Sequence, residues 1–257
     1  MLKRTLIIIT LISISLANAF AQENEKEKKQ KVYRPDIPGY FMIDLGLNFG
    51  SNLPPNFKKG LWGSRTLDVY YHYPIQIEKS HFSYTPGLGF SFQRFKFTNG
   101  YTLNQQPDAY GAYQLVPVAN SGSLAGQNVS LKKSMLITNY FDVIPVEFRY
   151  DTNPKDLARS FSITIGGYVG VLMDAHTKIK YRENGTNVTY KDKQNYGLNP
   201  FHYGVHTRIG IGNFNFFAMY NLSPYFATNK GPATLGVSGG TSTTMNTMTF
   251  GISLNGL

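Results

Sequence analysis

The stretch FHYGVHTRIGIGNFNFFAMYNL, residues 201 to 222, puts an apolar side chain at almost every second position of its first half. A period of two is the signature of an extended strand with two different faces, and it limits what the chain can become more than any composition does. Phe201, Tyr203, Val205, Thr207, Ile209 and Ile211 make one face, and His202, Gly204, His206, Arg208, Gly210 and Gly212 make the other. Gly212-Asn213 tolerates the positive φ of a tight hairpin turn and sets Ile211 against Phe214. From that register Ile209 meets Phe216, Thr207 meets Ala218, Val205 meets Tyr220 and Tyr203 meets Leu222, so both arms collect their apolar residues on the same side.

The same split recurs along the chain. Phe41, Ile43, Leu45, Leu47 and Phe49 oppose Met42, Asp44, Gly46 and Asn48, while Leu67, Val69, Tyr71, Tyr73 and Ile75 oppose Thr66, Asp68, Tyr70 and His72. Phe82, Tyr84, Leu88, Phe90 and Phe92 alternate with small or polar residues, and Ile144, Val146, Phe148 and Tyr150 with Glu147 and Arg149. Phe161, Ile163, Ile165, Val169, Val171 and Met173 oppose Ser162, Thr164, Gly166, Gly170, Asp174, His176 and Lys178. Met248, Phe250, Ile252 and Leu254 close the series, which gives eight strands. Short connections at 77–81, 151–159 and 212–213 alternate with long ones at 50–63, 98–133, 182–200 and 225–242. That rhythm is expected of an outer-membrane barrel with short periplasmic turns and long external loops.

The chain opens with Lys3 and Arg4, an apolar run from Leu6 to Leu16 and small residues at Ala17, Ala19 and Ala21, the layout of a secretory signal peptide over residues 1–21. Residues 22–39, charged and with two prolines, read as a flexible periplasmic lead-in, and residues 40–257 as the barrel domain. After Leu16 nothing reaches the ~18 consecutive apolar residues of a membrane helix, so a membrane would be crossed by strands, about 9 to 11 residues each. With no cysteine in an exported chain, closure and packing rather than disulfides must hold the fold. The expected fold is therefore an all-β, eight-stranded antiparallel up-and-down transmembrane β-barrel.

Sidedness follows from what occupies the second face. A water-exposed wall would favour lysine and glutamate, whereas these strands interleave glycine, Ser and Thr with Asp44, Asp68, His72, Glu147, Arg149, Asp174, His176, His202, His206 and Arg208. Opposite charges in that set are expected to pair as a polar network inside the lumen, because a buried charge without a partner costs several kcal/mol. An eight-stranded lumen is filled by side chains and leaves no wide channel. Pro74, Pro86 and Pro145 each remove a ladder donor, so bulges near the periplasmic rim are expected to absorb them.

The stretches DVIPVEFRYDTNP (142–154), SFSITIGGYVGVLMDAHTKIKY (160–181) and NPFHYGVHTRIGIGNFNFFAMYNLSPYF (199–226) resemble the PorT-like outer-membrane β-barrel family of Bacteroidetes. The likeness rests on an Ile-Pro ahead of an alternating strand, a glycine-rich fifth strand, and Tyr-Gly, Arg-Ile-Gly and Leu-Ser-Pro near the end. It implies a barrel without known catalytic residues, with some members tied to type IX secretion and surface-protein export.

His202 and His206 share a face but sit about 13 Å apart along a strand, too far to hold one metal ion unaided; hydrogen-bonded lumen residues, no metal and no cofactor are expected. Asp174 and His176 with Ser162 or a loop serine imitate the triad of lipid A-modifying barrel enzymes, but no spaced signature accompanies them. Lys58, Lys59, Lys132, Lys133, Lys191 and Lys193 fall in expected external loops and are candidates for contact with lipopolysaccharide phosphates or acidic glycans. The export signal argues against nucleic acid despite the formal charge of +10. The reading is a monomeric, non-enzymatic outer-membrane barrel in contact with outer-membrane lipid and lipopolysaccharide, serving envelope structure, surface interaction or a secretion complex. Its alternatives are a lipid A-modifying enzyme and a soluble periplasmic ligand-binding barrel.

Overall fold

A computed structural model describes residues 39–124, 130–232 and 244–256; the expected signal peptide, and the lead-in save its last residue, lie outside the described residues. The strands are β1 (Tyr40–Ser51), β2 (Arg65–His72), β3 (Ile75–Gln76), β4 (Phe82–Tyr84), β5 (Gly87–Phe97), β6 (Tyr101–Leu103), β7 (Leu115–Pro117), β8 (Ser130–Asp151), β9 (Phe161–Glu183), β10 (Thr186–Lys193), β11 (Phe201–Ile211), β12 (Phe214–Asn221) and β13 (Asn246–Asn255). Eight of them close a ring, β1-β2-β5-β8-β9-β11-β12-β13 and back to β1, every neighbour antiparallel. Closure removes the free sheet edge that a bilayer would not tolerate.

The hairpin of β11 and β12 turns at Gly212, φ 58°, with the register its sequence dictates: Ile211 opposite Phe214 and Val205 opposite Tyr220. Its apolar side faces outward, with Ile211 63 % and Phe216 60 % exposed, while Arg208 on the other side is 2 % exposed. The rest of the wall agrees. Phe90, Val171 and Ile165 are exposed, and Asp44, Asp68 and Glu147 are buried in the lumen.

The β8–β9 ladder has three register shifts, one of them between Leu131 and Lys133 near the outer end, and the other two correct the simple parity reading. Val143 pairs with Val169 and Val146 with Gly167, so β8 carries one residue more than β9 around Pro145. The extra residue turns Ile144 inward, where it packs with Met42, Tyr70 and Tyr168 instead of joining Val146 and Phe148 on the lipid side. Asn139 pairs with Asp174 and Tyr140 with Leu172, so here β9 carries the extra residue. Beyond it Ala175, Thr177 and Ile179 face inward, and Asp174, His176 and Lys178 face outward. Asp174 and His176 therefore do not belong to the lumen network.

The prolines converge on one band of the wall. Tyr73 donates its backbone N–H to Pro86 O and Thr85 donates to Glu147 O, bridging the gaps between β2 and β3 and between β4 and β5. The Tyr84 hydroxyl bonds to Pro145 O.

The long connections are more ordered than unbroken loops. β8 and β9, of 22 and 23 residues, run well past the 9 to 11 or so needed to cross a bilayer. With β10 they form a projecting three-stranded fin whose tip turns at Asn184-Gly185, both at positive φ. Lys132 and Lys133 therefore lie on β8, and Lys191 and Lys193 on β10, rather than in irregular loops. Val118 and Leu124 of the second long connection pack on Ile179 and Tyr181 of the fin.

Candidate functional site

The lumen is organised around Arg208 of β11. Its Nη1 donates to Glu147 Oε2 at 2.8 Å and its Nη2 to Asp44 Oδ2 at 2.8 Å, which ties β11 to β8 and β1 across the cylinder. His206 Nε2 lies 2.6 Å from the same Glu147 oxygen, and Thr85 donates its hydroxyl to Glu147 Oε1 at 2.6 Å. His72 Nδ1 is 3.4 Å from Glu147 Oε1, and Asp68 stands directly opposite Asp44 in the β1–β2 register. A second centre surrounds Asp142, which takes His202 Nε2 at 2.6 Å and the Tyr70 hydroxyl at 2.8 Å. Arg149 makes a separate two-point pair with Asp151 near the short-turn end.

Of the ten residues expected in the lumen, eight are there, and Asp174 and His176 are not. Asp142 and Asp151 are members that the alternation alone does not single out, while Tyr70 and Thr85 lie on the inner face where the alternation puts them. Asp142 precedes the β8 bulge and Glu147 follows it, so the two inward acids sit at positions of opposite parity.

Each lumen imidazole faces a glycine across its ladder: His72 opposite Gly87, His202 opposite Gly170 and His206 opposite Gly166. A Cβ on Gly170 would overlap Asp142 Oδ1 and His202 Nε2. The glycines of the inner face thus make the space in which ring and carboxylate meet.

Chemically this is a set of ion pairs and hydrogen bonds that leaves some buried atoms over: both carboxylate oxygens of Asp68, Asp44 Oδ1, His72 Nε2 and Arg208 Nε make no hydrogen bond among the described residues, so the expected pairing does not extend to Asp68. His202 and His206 serve different acids, and among the described residues no group of three or more His, Cys, Asp or Glu is placed to hold a metal ion. Asp174 and His176 do form a pair, 3.1 Å apart on the outward face, with Lys193 Nζ 2.7 Å from Asp174. Ser162 lies on the inner face at the far end of the same strand, about 40 Å away, so it is no nucleophile for that pair.

Above the network the external mouth is stoppered. Phe57, Leu103, Tyr196, Leu198, Tyr225, Phe226 and Met245 from the long connections pack on Phe95, Phe97, Leu136 and Ala175 of the wall. Hydrogen bonds fix the stopper: Thr177 Oγ1 is 2.8 Å from the Tyr196 hydroxyl, which donates to Asp192 Oδ2 at 2.7 Å. Burial and the Asp192 carboxylate raise the pKa of the Tyr196 phenol, so it stays a neutral donor. Between stopper and network the space lined by Tyr140, His202, Asn221 and Tyr225 is about 10 Å³, room for about one water.

The expected glycan-contacting lysines fall on the outside of this end. Lys59 lies 4.7 Å from the Phe49 ring centroid, and its partial burial lowers its pKa. Lys132 donates to Asn187 Oδ1 at 2.6 Å. Lys191 faces Lys178 across the β9–β10 ladder.

The family profile described as "Outer membrane protein beta-barrel domain" matches residues 20–229. No curated protein matches the chain. Among solved structures, Ail, the attachment invasion locus protein of Yersinia pestis, is 13 % identical with a TM-score of 0.35, the alignment covering 85 % of this chain and 99 % of Ail. Neisserial surface protein A is 9 % identical with a TM-score of 0.36, covering 85 % and 96 %. A closed eight-stranded wall with bare apolar side chains outside and paired charges inside, matched over most of its length by that profile, makes this chain a member of the outer membrane β-barrel domain family, located in the outer membrane.

Proposed function

We propose that the protein is a non-enzymatic, non-conducting barrel of the PorT-like kind from a Bacteroidetes envelope, acting as a single barrel through its external end on a surface or type IX secretion-associated partner. The stoppered mouth is the observation that supports this most. Described residues of four long connections pack into one core while the lumen below is filled by ion pairs, so what the molecule offers a partner is its outer surface rather than a passage. Lys58, Lys59, Lys132, Lys133, Lys191 and Lys193 are the residues proposed to meet anionic glycans there.

A deletion strain provides the test. The lipid A mass spectrum is expected to be unchanged, and surface-protein export to fall and be restored by the wild-type gene. A variant carrying Phe57→Asp and Phe226→Asp, which breaks the stopper while leaving the wall intact, is expected to fail in rescue. An altered acyl pattern would overturn the non-enzymatic reading, and undisturbed export would overturn the secretion role.

A further inference from the structure

Just above the apolar belt, cations line the outward face of β2, β5 and β9 without matching acids. Arg65 is directly opposite Arg94, and in the next row Lys96 and Lys178 flank Met135. Like charges set directly across a ladder destabilise it unless an anion lies between them. The acid on this face, Asp174, is held by Lys193 and His176. The two guanidiniums are also held in place. Arg65 Nε donates to Trp62 O at 2.6 Å and Arg94 Nε to Gly63 O at 3.0 Å, which leaves both pairs of Nη groups without a partner among the described residues.

Directly below them is a groove of about 300 Å³ in the outer wall, lined by Leu45, Leu67, Phe92 and Ile137 with Arg65 and Arg94 at its head. Trp62, the single tryptophan of the chain, is 74 % exposed beside it, as a residue at the membrane–water boundary would be. Paired Arg forks suit the oxygens of a phosphate, and a trough of hydrocarbon suits an acyl chain.

We propose that the Arg65–Arg94 pair and the groove beneath it form a lateral site for a phosphorylated, acylated lipid of the outer leaflet, its phosphate on the guanidiniums and one acyl chain along Leu67 and Phe92. Lys96 and Lys178 supply further positive potential one row up. The site rests on the outer-membrane location and is independent of the proposed secretion role.

The test uses the full chain in detergent, native mass spectrometry, and three probes: bisphosphorylated lipid A, the same lipid stripped of phosphate, and inorganic phosphate. The wild type is expected to retain the phosphorylated lipid at least tenfold more tightly than the stripped one. Arg65→Gln with Arg94→Gln is expected to abolish that preference while leaving binding of the stripped lipid unchanged. Lys155→Gln with Arg159→Gln, which removes equal charge from the periplasmic side, is expected to keep the preference. Should the Arg variant not fold, Trp62 emission in the unaltered protein decides: phosphorylated lipid is expected to shift it and stripped lipid to leave it. Equal affinity of the wild type for both lipids, a preference surviving in the Arg variant, an emission shift with either lipid alike, or displacement by equimolar inorganic phosphate would each overturn the proposal.

Discussion

At the scale of single residues, the lumen is built on opposed pairs of a ring and a glycine. Because a Cβ on Gly170 would collide with Asp142 and His202, Gly170→Ala is expected to destabilise the barrel by about 1–3 kcal/mol as the wall shifts, measurable by urea unfolding followed by circular dichroism. Glu147→Gln should cost more. It weakens one anchor of a fully buried guanidinium and a contact with His206 at once, and breaking one partner of such a cluster costs about 3–5 kcal/mol. His202, His206 and Arg208 could be placed in the lumen from the sequence because β11 runs without interruption and its two faces differ completely. Asp142 could not, because a period of two says nothing across a bulge.

At the scale of elements, the bulges separate what sequence reveals from what it conceals. The existence of all eight wall strands, and the β11–β12 register to the residue, follow from apolar spacing and one Gly-Asn turn. Pro145 marks the site of the β8 bulge, yet its effect on Ile144 depends on the partner strand. Nothing in LMDAH marks the bulge in β9, where a run of mixed polarity suits either face. Inserting one alanine between Val146 and Glu147 would put Glu147 and Arg149 on the lipid side if the upper half of β8 keeps its register. The insertion variant is therefore expected to lose the compact, heat-modifiable band on gel electrophoresis.

In the second long connection, Asp108 accepts the backbone N–H groups of Ala112 and Tyr110 and the Gln114 amide. The Ala112 N–H first, then Gln114, hold its carboxyl below the usual carboxylate range. Its contribution is therefore full above the ordinary Asp value of about 4 and is lost as pH falls through the lower folded value. Hydrogen exchange at 108–114, corrected for intrinsic rates, is expected to be flat near neutrality and to rise in acid below about pH 4. Asp108→Asn is expected to remove that step.

For the whole molecule, the stopper and the filled lumen predict silence in planar bilayers: no stepwise conductance from the intact protein, and none induced by mutating the outward cations. The Arg208–Asp44 contact also joins residues 164 positions apart, and Glu147, from a third strand, completes it. Within this central cluster no single hairpin carries its own counter-ions. A lone β-hairpin entering the hydrocarbon would drag naked carboxylates with it, so stepwise insertion faces a barrier that closing the ring removes. Assembly of this cylinder is thereby driven toward a concerted event, in which the last strand pair to zip is also the one that neutralises the interior.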